Sequence, residues 1–154
     1  METIKGKLSG VGKKAAIVMS RRNEQIVLKL LEGAKEELLR NGMEDSDITM
    51  CEVPGAWEIA GAAKKVRESA RFDMVICLGA VIRGDTPHFE YISSQVARTV
   101  AQQSIDGNIP VAFGVLTCDS LEQALERSGG KSGNKGEEAA RAALEMSDLY
   151  SKLR

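Results

Sequence analysis

Apolar residues along the chain come in two alternating patterns, short unbroken runs and stripes that repeat every three or four positions. AAIVMS, from Ala15 to Ser20, is a β-leaning run with no helical continuation and predicts a strand. Beyond it, Val27, Leu30, Leu31, Ala34 and Leu38 fall on one face of a helix that Asn41-Gly42 closes. Ile48 to Val53 predicts a second strand, stopped by Pro54-Gly55, and Ala56 to Ala70 a helix whose charge sits in KKVRES. Met74 to Ile82 is apolar on both faces, as a central parallel strand must be. Phe89, Ile92, Val96 and Val100 form the next helical stripe, and Ile109 to Leu116 reads as a fourth buried strand. Asp119 and Glu122 form a D-x-x-E start signal for the helix LEQALERS, and EEAARAALEMSDLYSKL is a final amphipathic helix.

Strand and helix therefore alternate four times, which predicts an α/β protein: a four-stranded parallel sheet with helices on both faces. No repeat, linker or low-complexity stretch interrupts it, so residues 1–154 read as one domain, with Met1 to Lys13 as a loose or partner-bound arm. In open sheets of this kind ligands gather at the carboxyl ends of the strands. Those ends are Ser20 to Asn23, Val53 to Glu58, Arg83 to His88 and Phe113 to Asp119, where the unusual residues of the chain are concentrated.

Composition narrows the classes of function. The 21 Lys and Arg nearly balance the 22 Asp and Glu, giving a formal charge of −1 and no broad field to grip nucleic acid or an anionic membrane. METIKGKLSG has no apolar centre and does not read as a signal peptide. The longest apolar run, Met74 to Ile82, is far short of the about 20 residues that span a bilayer. Cys51, Cys77 and Cys118 are odd in number, widely spaced and set among apolar residues, which fits free thiols in a reducing cytoplasm and neither a metal site nor a disulfide framework.

The candidate chemistry centres on GAVIRGDTPHFEY, which holds the sole histidine, His88. Thr86 suits an N-cap and Pro87 a first helical position, and the free amides behind them offer an anion site. GVGKK precedes a strand and GGKS follows a helix without the first glycine of the motif, so neither is a P-loop. RSGGKSGNKG reads equally as a solvated connector or as a loop wrapping an anion, with Arg127 as a fork donor. In VPGAWEIA, Trp57 suits a core or interface, while Glu58 either accepts hydrogen bonds from a polyol or stabilises a helix terminus.

VPGAWEI, GAVIRGDTPHFEY, PVAFGVLT and LEQALERSGGKSGNKGEEAARAALEM, in this order, resemble the lumazine synthase family over nearly the whole chain. The resemblance implies a flavodoxin-like three-layer αβα sandwich that assembles into pentamers with the active site between subunits. Twelve pentamers would form an icosahedral shell able to enclose riboflavin synthase, and the arm would join a neighbour's sheet. The implied reaction condenses 5-amino-6-(D-ribitylamino)uracil with 3,4-dihydroxy-2-butanone 4-phosphate to 6,7-dimethyl-8-ribityllumazine, without metal or organic cofactor. By match to the motifs His88 transfers protons, and Ala56, Trp57 and Glu58 line the pyrimidine and ribityl site. Ala80, Val81 and Ile82 present backbone groups to the pyrimidine, and Asp85 and Thr86 hold the phosphate through the helix terminus, with Arg127 supplying the charge. Phe113 arrives from the neighbouring subunit to pack on the ligand, and Lys135 lies in the matching loop.

The chain departs from the family pattern at three of these places. Arg22 stands where an aromatic normally stacks on the pyrimidine, Ala80 where threonine or serine is common, and Asp85 where a small residue is commoner. Arg22 supports two expectations. Its planar guanidinium can replace the aromatic against the ring, or the chain is a non-catalytic relative that binds a lumazine or flavin or builds a shell.

Overall fold

A computed structural model describes all 154 residues, Met1–Arg154. Its centre is β3 (Met74–Ile82), which pairs in parallel with β1 (Ala15–Ser20) on one side and β4 (Val111–Cys118) on the other. β2 (Ile48–Val53) pairs with the outer side of β1, so the sheet order is β2-β1-β3-β4 and every strand runs the same way. Helices cover both faces: α1 (Glu24–Arg40) and α5 (Lys135–Lys152) one, α2 (Ile59–Glu68) and α3 (His88–Asp106) the other. This is the expected three-layer αβα arrangement on a four-stranded parallel sheet.

Two-residue periodicity divides the strands between two cores. Ala15, Ile17 and Met19 of β1 and Met74, Ile76, Leu78 and Ala80 of β3 face α1 and α5. Val18, Val75, Cys77 and Val81 face α2 and α3. Gly79 takes a place on that second face because a Cβ there would lie 2.8 Å from Ser20 Oγ and 2.9 Å from Ile59 Cδ1. Ile17, Leu30, Leu38, Ile76, Leu78 and Leu144 are fully buried, each such side chain contributing roughly 1.5–3 kcal/mol of transfer free energy. Burial also pushes the Cys77 thiol up to about 12, so it stays neutral and inert.

One charge lies within this packing. Glu37 is 0% exposed, and its carboxylate accepts from Arg40, from Asn41 Nδ2 at 2.9 Å and from Arg141 Nη1 at 3.0 Å. The network ties α1 to α5, and full satisfaction is what makes a buried carboxylate tolerable.

Several boundaries differ from expectation for identifiable reasons. The helix expected from Ala56 opens with a 3₁₀ turn, Ala56–Glu58, before α2 begins at Ile59. β4 starts at Val111 because Pro110 has no N–H, although its carbonyl still accepts from Val75 at 2.9 Å. Ser120, not Asp119, caps α4 (Leu121–Glu126): its Oγ accepts from Gln123 N at 3.2 Å, while Gln123 Oε1 accepts from Asp119 N at 2.8 Å. Asn23 occupies the N-cap position of α1, but its side chain forms no cap. α3 begins at His88, with Thr86 Oγ1 accepting from His88 N at 3.4 Å. The glycine-rich connector is a small antiparallel hairpin, β5 (Ser128–Gly130) and β6 (Gly133–Asn134). Asn134 ends it by accepting from Gly136 N and Glu137 N at the start of α5 and donating to Lys29 O on α1.

Residues 1–10 form no strand. They run along α5, where Lys7 N donates to Asp148 Oδ2 at 2.7 Å and Lys152 Nζ to Lys5 O at 2.7 Å, and then reach the end of α1, where Gly10 N donates to Asn41 O at 2.8 Å. The Lys152 side chain and the Lys7 amide hold the Asp148 carboxyl below its usual range. The outer edge of β2 is left unpaired. No helix is long and apolar enough to cross a membrane.

A tight packing constraint between α1 and α5 lies at Gly136, where an added Cβ would sit 2.0 Å from the Leu30 carbonyl oxygen. That clash is with backbone, which cannot rotate away. Gly136→Ala is therefore expected to cost at least the ~1–3 kcal/mol typical of overpacked cores, read as a lowered denaturant midpoint or melting temperature.

Candidate functional site

The carboxyl ends of β1, β2 and β3 converge on a cavity of about 760 Å³. Past β1 the ladder continues into the loop, with Arg21 N donating to Val53 O at 2.9 Å and Arg22 N to Pro54 O at 3.2 Å. Asn23 then turns the chain in a left-handed conformation, φ 61° and ψ 45°, which asparagine tolerates better than most residues. Its Nδ2 crosses to Ala80 O at 2.9 Å, fixing the β1 loop to the end of β3. Past β2, extended Gly55 leads into the 3₁₀ turn, where Glu58 N donates to Gly55 O at 3.2 Å.

This geometry brings Arg22, Ala56, Trp57, Glu58, Ala80, Val81, Ile82, Thr86 and His88 around one space. Asp85 is exposed in the same loop but does not line the cavity. The groups on the wall without partners within the chain include the Arg22 guanidinium, the Glu58 carboxylate and the His88 imidazole. Arg22 pairs with neither Asp85 nor Glu58, whereas Arg21 beside it lies 3.7 Å from Glu52. Glu58 does not cap α2, so its acceptors point to solvent and the cavity. Trp57 is 59% exposed, which sets aside a core role and leaves a broad aromatic plate at the cavity wall.

Phe113, Arg127 and Lys135 are not part of this space. They line a second cavity of about 380 Å³ with Val115 to Cys118, Ser132 and Glu138, at the β4 edge. Arg127 Nη1 donates to Gln123 O at 3.2 Å, and Lys135 N donates to Arg127 O at 2.9 Å, so the hairpin carries both cations into one wall. The Cys118 thiol there is pushed up by burial, which favours its neutral form. No three His, Cys, Asp or Glu side chains lie close enough together to hold a metal ion.

Asn23, Tyr91 and Ile92 also line the first cavity and were not among the expected contacts. Tyr91 had a legible signal, since it lies three residues beyond His88 and so shares its helical face. Asn23 was legible as part of a strand end, but its bond to Ala80 was not, because that bond depends on strands far apart in sequence.

A doubly covered parallel sheet with an aromatic plate, an unpaired carboxylate and a free imidazole at its strand ends defines an α/β protein whose cavity has the lining of a small-molecule site. Residues 12–151 match the family model of 6,7-dimethyl-8-ribityllumazine synthase. The chain is also 53% identical, over 153 residues and 99% of each chain, to a Clostridium kluyveri protein named 6,7-dimethyl-8-ribityllumazine synthase. It belongs to the 6,7-dimethyl-8-ribityllumazine synthase family.

Trp57 is the only tryptophan, so its emission reports on this cavity alone. A planar heterocycle filling the space should quench the emission and shift it to shorter wavelength. An unchanged spectrum at saturating ligand would place binding elsewhere.

Proposed function

We propose that the strand-end cavity binds the pyrimidine substrate of the family's reaction and that His88 moves its protons. Family membership assigns the chain the condensation of 5-amino-6-(D-ribitylamino)uracil with 3,4-dihydroxy-2-butanone 4-phosphate, the penultimate step of riboflavin biosynthesis. The observation that carries the site reading is the unpartnered imidazole of the sole histidine on the cavity wall.

The chemistry needs little more. The arylamine attacks the ketone carbonyl and loses water to give an imine. Proton removal then expels phosphate, the resulting enol tautomerises, and the ribityl-bearing nitrogen closes the ring on the second carbonyl with loss of water. Each step transfers a proton, which an imidazole can give and take near neutral pH. Glu58 accepts hydrogen bonds from ribityl hydroxyls, and Ala56 and Trp57 flank them. Backbone groups of Ala80, Val81 and Ile82 read the pyrimidine edge. Arg22 lies flat against the ring in the aromatic's place, an arrangement its unpaired guanidinium leaves open. Holding two reactants in register supplies roughly 7–11 kcal/mol by itself, so one titrating group suffices.

The backbone amides of the turn at Asp85 and Thr86, ahead of α3, hold the phosphate with the Asp85 carboxylate turned away, and Arg127 supplies the charge through a fork that matches a phosphate bidentately. In one chain Arg127, Phe113 and Lys135 belong to a cavity apart from His88. The reading that reconciles the two is a pentamer in which each subunit's β4-edge cavity completes its neighbour's strand-end cavity. In this proposal residues 1–154 act as one domain, and the arm 1–13 leaves α5 to pair with a neighbour's open β2 edge. Twelve pentamers close into a shell around riboflavin synthase, in the cytoplasm.

His88→Ala should lower turnover by roughly 10²-fold, the lower end for general acid–base catalysis, with ligand binding retained. Wild-type turnover would rule out the assignment. The shared site is tested by mixing. His88→Ala and Arg127→Ala subunits, co-assembled, should regain activity, because roughly a quarter of their interfaces pair an intact His88 with an intact Arg127. A mixture no more active than its two components would show that both residues serve within one chain.

A further inference from the structure

Arg83 is the first residue past β3, and its side chain joins three elements. Nε donates to Asp119 Oδ1 at 2.8 Å, and Nη1 donates to Glu90 Oε1 at 2.6 Å. The guanidinium carbon lies 4.5 Å from the centre of the Phe89 ring. The Arg83 backbone N–H donates to Cys118 O at 2.9 Å, so main chain and side chain both fasten this point to the end of β4. The Asp119 and Glu90 hydrogen bonds raise the guanidinium's pKa above the ordinary arginine value.

The chain between this anchor and His88 has little else to hold it. Gly84, Asp85, Thr86 and Pro87 are exposed and lie outside any strand or helix. The side-chain contact within the turn is Thr86 Oγ1 to His88 N at 3.4 Å, and the main-chain one is Glu90 N to Pro87 O at 3.0 Å. His88 itself touches no partner through its ring, so its place is set by where α3 starts. That start is held by Phe89, buried in the core, and by Arg83 gripping Glu90. An exposed ion pair alone adds little. Here, however, one planar cation binds two carboxylates from different elements and lies over the ring between them, which a lysine cannot reproduce.

We propose that Arg83 is a positioning residue for the reaction: by clamping Glu90 of α3 to Asp119 at the end of β4, it holds the Gly84–His88 turn and the His88 imidazole in register with the strand-end cavity. The proposal rests on the reading of His88 as proton carrier.

The test is steady-state kinetics of Arg83→Gln in the wild-type and His88→Ala backgrounds, with melting temperature and light scattering as controls for fold and assembly. In the wild-type background turnover should fall on the order of 10-fold, as expected of a misplaced catalytic group, with little change in the Michaelis constant for ribitylaminouracil. In the His88→Ala background the same substitution should have no further effect, since no imidazole remains to be positioned. Arg83→Lys should restore part of the rate, because an ammonium can hold one carboxylate. Equal fractional losses in both backgrounds, or wild-type turnover of Arg83→Gln, would overturn the proposal. Should Arg83→Gln fail to fold, Glu90→Gln cuts the grip on α3 while sparing Asp119, and is expected to behave in the same way. Wild-type turnover of Glu90→Gln would overturn the proposal equally. If His88→Ala alone keeps the wild-type rate, both the site reading and the proposal fall, and that single variant identifies the cause.

Discussion

The parallel ladder through β3 is the constraint on which the rest depends. β3 is paired on both edges and buried on both faces, so it can neither shift register nor turn over without exposing a row of Val, Ile and Leu. Because all four strands run in the same direction, their carboxyl ends share one rim. The loops that carry Arg22, Trp57 and His88 are neighbours there, although they are far apart in sequence. The hydrogen bond from Asn23 to Ala80 O ties two of those loops together at the rim itself.

Stability and chemistry are separated along this axis. The cores on the two faces of the sheet contain almost no unpaired polar atoms, and even the buried carboxylate of Glu37 is fully engaged. At the rim the reverse holds, since Arg22, Glu58 and His88 face the cavity without partners. Such groups add nothing to folding, and they are free to exchange water for ligand without first breaking an internal contact. Arg83 is the exception at the rim, because its donors are already engaged by Glu90 and Asp119.

Much of the fold was legible from hydrophobic period. β1, β2 and β3 begin and end where the apolar runs do, and α1 and α5 follow their stripes to within about two residues, the usual uncertainty of helix ends. The errors arise where a side chain had two options. Asp119 reads as a helix cap from its spacing to Glu122, but Arg83 takes its carboxylate and Ser120 does the capping. Asn23 stands at the N-cap position of α1, yet its amide donates to Ala80 O and caps nothing. The glycine-rich connector was undecidable between loop and anion cradle, and it folds into a hairpin that places Arg127 and Lys135 in one cavity wall.

The sequence by itself therefore determined the alternation of strand and helix, the direction of the strands and the rim where unusual residues collect. These follow from short-range periodicity and from the rule that an apolar face must be covered. It also carried motif blocks specific enough to point to one family. Only the tertiary structure decided which polar groups find partners and which remain free. It also separated Phe113, Arg127 and Lys135 from the cavity of His88. Those outcomes depend on hydrogen bonds about 3 Å long between residues on different elements. Such bonds leave no periodic mark along the chain, because each donor chooses among acceptors that only folding brings within reach.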